Sequence, residues 1–314
     1  MPLEGKRKAQ GNAHKYLNAD YLRYLESFYL SSRVTVEGAY SGKHTSPLKG
    51  HAQEFTDYRK YYPGDSIRTI DWKVYARTDR YVIKLSELET IMTCYLLVDS
   101  SASMAFGGHW HEKFFGSEDM SKFDYACYLA AALSYLTIKQ GDKVGLTLFD
   151  NNIKNHIPAG STYSHLYKIL NQLERNRVGQ GTSVARVLRE SFPLFKHKGI
   201  LVLISDLLDD PEEIFGALDM YLHKNFEVVL FHVLHKHELE LPSVSSVNFI
   251  DAETRQRLTS IPADIRNSYS RHLNNFIESI SSTAQSRKID YQLFSTETPY
   301  QLALQNYIAG RGKR

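Results

Sequence analysis

The segment Tyr95-Leu96-Leu97-Val98-Asp99-Ser100-Ser101-Ala102-Ser103-Met104 joins an apolar run to one carboxylate and two hydroxyls at a spacing of two. The apolar run reads as a buried strand, so Asp99, Ser101 and Ser103 stand at its C-terminal end. Hard oxygen donors of this kind suit Mg²⁺ or Mn²⁺ and suit zinc or copper poorly. In an open α/β sheet that edge is also where ligands bind. Spacing alone leaves a second reading open, because Ser and Asp cap helices equally well. Two later segments bear on the choice. Gly179-Gln180-Gly181-Thr182-Ser183 is a glycine-rich turn that presents a hydroxyl just before a helical pattern, and Leu201-Val202-Leu203-Ile204-Ser205-Asp206 is a second buried strand ending in an acid.

Taken in chain order, Asp99, Ser101, Ser103, Thr182 and Asp206 resemble the ligand set of the metal-ion-dependent adhesion site of von Willebrand factor A domains. The resemblance implies a Mg²⁺ or Mn²⁺ ion held by these five side chains. Two carboxylates roughly cancel a divalent charge, three hydroxyls add neutral oxygens, and a sixth position is left for water or a ligand. Mg²⁺ favours octahedral oxygen coordination, so the natural visitor there is an Asp or Glu carboxylate of another protein. The implied activity is metal-dependent protein binding, not turnover.

The 314 residues suffice for one large or two modest domains, and 42% hydrophobic with 23% charged residues is ordinary for a globular protein. A formal net charge of +3 gives no clear sign of a nucleic-acid partner. Cys94 and Cys127 sit in apolar segments, where a packed, reduced thiol is expected. No apolar run approaches the ~18 to 20 residues of a membrane span, and no apolar signal region follows Lys6-Arg7-Lys8. A cytoplasmic location is the expectation.

Residues 1 to 12 read as a polar tail, 18 to 31 as a helix and 33 to 38 as a half-buried strand. Between Glu54 and Arg77 runs the pattern E-F-x-x-x-R-x-Y-x-P-G-D-x-x-R-x-I-D-W-x-x-x-A-R. Tyr62-Pro63-Gly64-Asp65 within it is a turn, since Pro fixes the first central φ and Gly tolerates a positive second one. Arg59, Arg68 and Arg77, alternating with Asp57, Asp65, Asp71, Glu87 and Glu89, suggest ion pairs fixing an irregular loop region. A partner-docking surface is the alternative, because Arg with Trp or Tyr favours interface anchors.

This pattern resembles the signature of the bacterial DUF58 family, in which a von Willebrand A-like domain follows the motif directly; here Asp99 follows Arg77 by 22 residues. Membership implies a MoxR-type AAA+ ATPase as partner and a chaperone-like role in assembling or activating protein complexes. Many members carry transmembrane helices ahead of the motif, and no such run precedes it here.

Residues 81 to 85 read as a strand that pairs with 33 to 38 outside the main sheet. Residues 105 to 121 read as a long loop whose His109, His111 and Glu112 are surface groups, short of the three or four converging ligands zinc needs. Helices at 123–140, 163–174, 183–195, 211–224, 262–286 and 298–309 alternate with strands at 143–149, 199–205, 227–234, 246–251 and 291–294. That alternation predicts an α/β fold: a doubly wound, mainly parallel sheet flanked by helices over residues 91–314, with a small N-terminal β-containing subdomain over residues 1–90.

The enzyme alternatives fit less well. A haloacid dehalogenase needs a second Asp where Ser101 stands, a serine hydrolase elbow needs G-x-S-x-G, and G-x-x-x-x-G-K-[ST] is not found. A metal-assisted hydrolase would need a placed base. A scaffold with a vestigial metal site, binding nucleic acid or protein through basic regions, is the remaining class.

Overall fold

The computed structural model describes residues 14–17, 53–62, 67, 70–88, 91–107, 120–179, 181–244, 246–250 and 256–311. The expected helix at 18–31, the strand at 33–38, the Pro63-Gly64 turn and His109, His111 and Glu112 lie outside them.

By internal contacts the chain forms two units, one spanning Tyr40–Ile91 and the other Met1–Ala39 with Met92–Arg314. In the smaller unit, β1 (Gln53–Lys60) and β2 (Val82–Leu88) pair antiparallel, with helix α1 (Trp72–Thr78) between them in sequence. Its described buried residues are Ile70 and Ile83, which form a bridge between them. β2 thus pairs with residues 53–60, its expected partner 33–38 lying outside the described residues, and a strand and a helix replace the irregular loop read over 54–77. The charge-rich sequence of β1, QEFTDYRK, hid the strand, because its hydrophobic alternation is weak. Of the groups predicted to pair, Asp65, Arg68 and Glu89 and the side chains of Asp57 and Glu87 lie outside the described residues. Asp71 caps α1 by accepting the Lys73 and Val74 amides at 3.0 and 3.2 Å, and Arg59 lies over the Tyr62 ring at 5.9 Å.

The larger unit runs β3 (Thr93–Asp99), α2 (Lys122–Lys139), β4 (Lys143–Phe149), β5 (Ile153–Gly160), α3 (Tyr163–Arg175), α4 (Val184–Ser191), β6 (Ile200–Ser205), α5 (Pro211–His223), β7 (Glu227–Leu234), α6 (Lys236–Leu239), β8 (Val247–Ile250), β9 (Arg257–Ser260), α7 (Pro262–Ser286), β10 (Asp290–Ser295) and α8 (Tyr300–Arg311). The main sheet has the order β10-β7-β6-β3-β4-β5, parallel except for β5 at the edge. This is the expected mainly parallel α/β architecture. Its four inner strands are buried on both faces, so successive side chains enter opposite cores. Leu96, Val98, Val202 and Ile204 join α2, α3 and α8 on one side, whereas Tyr95, Leu97, Leu201 and Leu203 join α4, α5 and α7 on the other.

Three strands of the larger unit, β5, β8 and β9, depart from the sequence reading. β5 was not expected; it is a half-buried antiparallel edge whose polar Lys154, Asn155 and His156 mask the strand signal. β8 pairs with β9 in a separate two-stranded sheet instead of completing the main one. Residues 14–17 belong to the larger unit, where the Lys15 ammonium and the Tyr16 hydroxyl both reach Asp124 in the first turn of α2 at 2.7 Å. Cys94 and Cys127 are buried and unbridged. Among the described residues no helix is long and apolar enough to cross a membrane.

His232 on β7 is fully buried, with Nδ1 2.9 Å from the Tyr291 hydroxyl. Burial pushes its imidazole down to about 4, against the opposing pull of Asp206. Because the folded pKa lies below the unfolded one, this histidine costs no stability above pH ~6.5 and costs progressively more as pH falls toward ~4. Urea unfolding of wild type and His232→Gln should therefore diverge on acidification, the wild type losing on the order of 2 to 3 kcal/mol relative to the variant between about pH 7.5 and 4.5. A pH-independent difference between the two would contradict the assignment.

Candidate functional site at the carboxyl edge of β3 and β6

Parallel pairing of β3 with β6 aligns Val98 with Ile204, which places Asp99 beside Ser205 and sends Asp206 just past the sheet edge. The Ser205 hydroxyl donates to Asp99 Oδ2 at 2.6 Å, and the Ser101 amide donates to Oδ1 at 2.8 Å. Ser101 and Ser103, in the turn leaving β3, bring their hydroxyls to 3.0 Å of each other. The Ser103 hydroxyl also bonds the Asp206 carboxylate. Beyond Asp206 the chain turns sharply: Leu207 takes a left-handed φ of 53°, which a leucine adopts only at a cost. That turn lets the Leu208 amide point back toward Asp206 Oδ1, at 3.4 Å.

The segment carrying Thr182 is fastened at both ends. The Gly179 amide donates to the Ser100 carbonyl at 2.6 Å, beside β3, and the Ala185 amide reaches the Asp209 carboxylate at 3.4 Å, just past β6. Gly179 is required there, since a Cβ would sit 2.0 Å from Asp150 Oδ2. The Thr182 hydroxyl oxygen itself is buried and has no hydrogen-bond partner among the described residues. The structure therefore brings Asp99, Ser101, Ser103 and Asp206 into one bonded cluster, with the Thr182 segment tied to the ends of the same two strands.

Three groups that the sequence reading passed over complete the cluster. Lys122, at the start of α2, is fully buried, and its ammonium lies 2.8 Å from Asp206 Oδ2 and 2.6 Å from Glu238 Oε1. The Phe106 ring stands 6.0 Å from the same nitrogen. Glu238 is itself fixed by accepting the His235 amide at 2.8 Å, in a capping box that opens α6. The signal for Lys122 was present in sequence: a cation in the first turn of a helix opposes the helix dipole, so a nearby carboxylate is needed to hold it. Ser205, directly before Asp206, was the signal for the brace on Asp99.

Burial, with Asp206 adding repulsion, pushes Asp99 up to about 7, although Ser205 and Ser101 donors work the other way. Burial would raise Asp206 too, but the Lys122 ammonium holds its carboxyl below the usual range. Lys122 stays charged despite its burial because Asp206 and Glu238 face it. Burial pushes Glu238 up, against the pull of Lys122. Asp206 and Glu238 face the one ammonium while Asp99 faces Asp206, so three carboxylates share one cation, an imbalance of two negative charges when all are ionised.

A divalent cation fits that deficit, and a buried hydroxyl oxygen with no partner fits an oxygen ligand. Asp99 and Asp206 each have one oxygen braced by Ser205 or Lys122, as outer-shell groups brace metal ligands. Among the described residues no group of three or more His, Cys, Asp or Glu is placed to hold a metal. Any metal site here therefore depends on hydroxyl oxygens.

Lys122→Met would strand two buried carboxylates, so it should destabilise the chelator-treated protein by about 3 to 5 kcal/mol, and adding Glu238→Gln should restore part of the loss. Chemical denaturation of the two variants tests this; additive losses would mean that the ion pair is not a unit.

The family model described as "Protein of unknown function DUF58" matches residues 57–276. A relative, the uncharacterized protein Mb1516 of Mycobacterium bovis, is 29% identical over 255 residues, covering 79% of this chain and 76% of that protein. Among solved structures, the conserved hypothetical protein BatB from Bacteroides thetaiotaomicron is 16% identical with a TM-score of 0.43, covering 71% of this chain and 100% of that one. The SpRpn10 VWA domain is 10% identical with a TM-score of 0.41, covering 69% of this chain and 94% of that one. With its matched region reaching from β1 into α7, this chain belongs to the DUF58 family.

Proposed function

We propose that this chain is a divalent-metal-dependent protein-binding module, in which Asp99, Ser101, Ser103, Thr182 and Asp206 hold Mg²⁺ or Mn²⁺. Bound there, the ion would supply a positive centre with an open position for a carboxylate of a protein client. The observation that carries this reading is the Thr182 hydroxyl, buried with no partner among the described residues, in a segment tied on either side to the strand ends that carry Asp99 and Asp206. A buried polar atom left unsatisfied is costly, and such an atom at a strand edge points to a ligand.

This chain's own residues set up that ligand site. Ser205 and the Ser101 amide orient Asp99, Lys122 keeps Asp206 ionised, and Glu238 holds Lys122 in place. Lys122 and Glu238 are engaged with each other, which favours binding over turnover. In keeping with the family resemblance, the partner is a MoxR-type AAA+ ATPase, for which the chain acts as a cytoplasmic adaptor in assembling or activating complexes.

The Lys122 ammonium also favours a second reading. It already places one positive charge on Asp206, as a resident substitute for a metal would, and the site would then be a vestigial one on a scaffold.

Affinity capture with wild type, Asp99→Ala and Thr182→Val, in Mg²⁺ and in EDTA, separates the two. Metal-dependent binding predicts partners retained by wild type in Mg²⁺ and lost in EDTA or on either substitution, with the fold intact by circular dichroism. Equal capture in EDTA would favour the scaffold.

A further inference from the structure

The smaller unit carries a surface that the metal site does not use. Tyr75 on α1 stacks on Tyr81 with ring centroids 4.5 Å apart and an interplanar angle of 22°. Trp72 meets Tyr75 edge-on at 5.9 Å, and Tyr61 lies 6.4 Å from Tyr81 on the other side. These rings are not a core. Trp72 is 53% exposed and Tyr81 49%, and none of the described residues of α1 is buried. Isolated exposed aromatics are ordinary, but a contiguous run of four costs solvation and marks an interaction site.

The charges around the run have one sign to spare. Lys73, Arg77 and Arg80 make no ion pair among the described residues. The two acids of the same stretch are both engaged locally, Asp71 in capping α1 and Asp79 with the Tyr75 hydroxyl. Beside them Val74, Thr78, Arg80 and Val82 line a shallow pocket with two apolar walls and one guanidinium. Trp, Tyr and Arg in one patch are the residue types that dominate binding energy at protein interfaces, and an apolar pocket next to a cation suits an apolar side chain flanked by a carboxylate.

We infer that the α1 face, with its aromatic run and three cations that make no ion pair among the described residues, docks an acidic protein segment that carries a bulky apolar or aromatic side chain. The charge complementarity selects an anionic partner, and the valine-walled pocket selects a side chain over a phosphate backbone. The inference stands apart from the metal site, since none of these residues is among its ligands.

The test uses the whole 314-residue chain in EDTA, so that carboxylates bound through a metal do not contribute. Fluorescence anisotropy is read with a labelled random Glu–Tyr copolymer, with poly-glutamate and with a 20-nucleotide oligo-dT. The expected result is salt-sensitive binding of the copolymer, tighter than either comparator. Trp72→Ala, and separately Lys73→Glu with Arg77→Glu and Arg80→Glu, should each weaken it about tenfold or more. Because α1 buries none of its described residues, these variants should keep the wild-type circular dichroism spectrum. Three outcomes would overturn the inference: oligo-dT binding more tightly than the copolymer, which assigns the face to nucleic acid; copolymer binding no tighter than poly-glutamate; or variants that bind as wild type does.

Discussion

Two carboxylates buried side by side at one sheet edge are the constraint on which the rest of this structure depends. Ionising both in a dry site is prohibitive unless positive charge is supplied. The fold supplies one charge through Lys122, which holds Asp206 ionised and leaves Asp99 carrying its proton up to about pH 7. The first turn of α2 delivers Lys122, and the capping box of α6 delivers the Glu238 that anchors it. Elements far apart in sequence are thereby fixed by the electrostatics of a single pair of acids.

The sheet explains why the acids meet. Strands buried on both faces must be apolar throughout, so their first polar residues mark their ends, and parallel neighbours in register bring those ends together. Asp99 closes β3 and Ser205 closes β6, with Asp206 one residue further. The hydroxyls of Ser101 and Ser103 follow from the tight turn that leaves β3, and the left-handed Leu207 is the backbone cost of turning the chain back over Asp206.

Most of the larger unit was legible, and so was the placing of Asp99 and Asp206 at neighbouring strand ends, because those signals are local: continuous apolar runs, capped helices, and acids at strand ends. What escaped the sequence reading is non-local or locally ambiguous. The role of Lys122 depends on Glu238, 116 residues away, and no spacing rule links them. β5 is an edge strand rich in polar groups, and β8 has the alternation of a strand but finds β9 as its partner, a choice made by tertiary packing. In the smaller unit Asp71 serves as a helix cap, and Lys73 and Arg77 on α1 make no ion pair among the described residues.

The two proposals divide the labour, one assigning carboxylate recognition to a metal held at the sheet edge and the other assigning an acidic, aromatic-bearing segment to the rings and cations around α1. The central claim concerns the first. Diffraction from crystals grown in Mn²⁺, collected at an energy where manganese scatters anomalously, tests it most directly. The account predicts an anomalous peak within bonding distance, about 2.0 to 2.3 Å, of the Ser101, Ser103 and Thr182 hydroxyls, with Asp99 and Asp206 contributing directly or through water and Lys122 still on Asp206. A map with no peak there, and the Thr182 hydroxyl satisfied by a protein group or an ordered water instead, would contradict it.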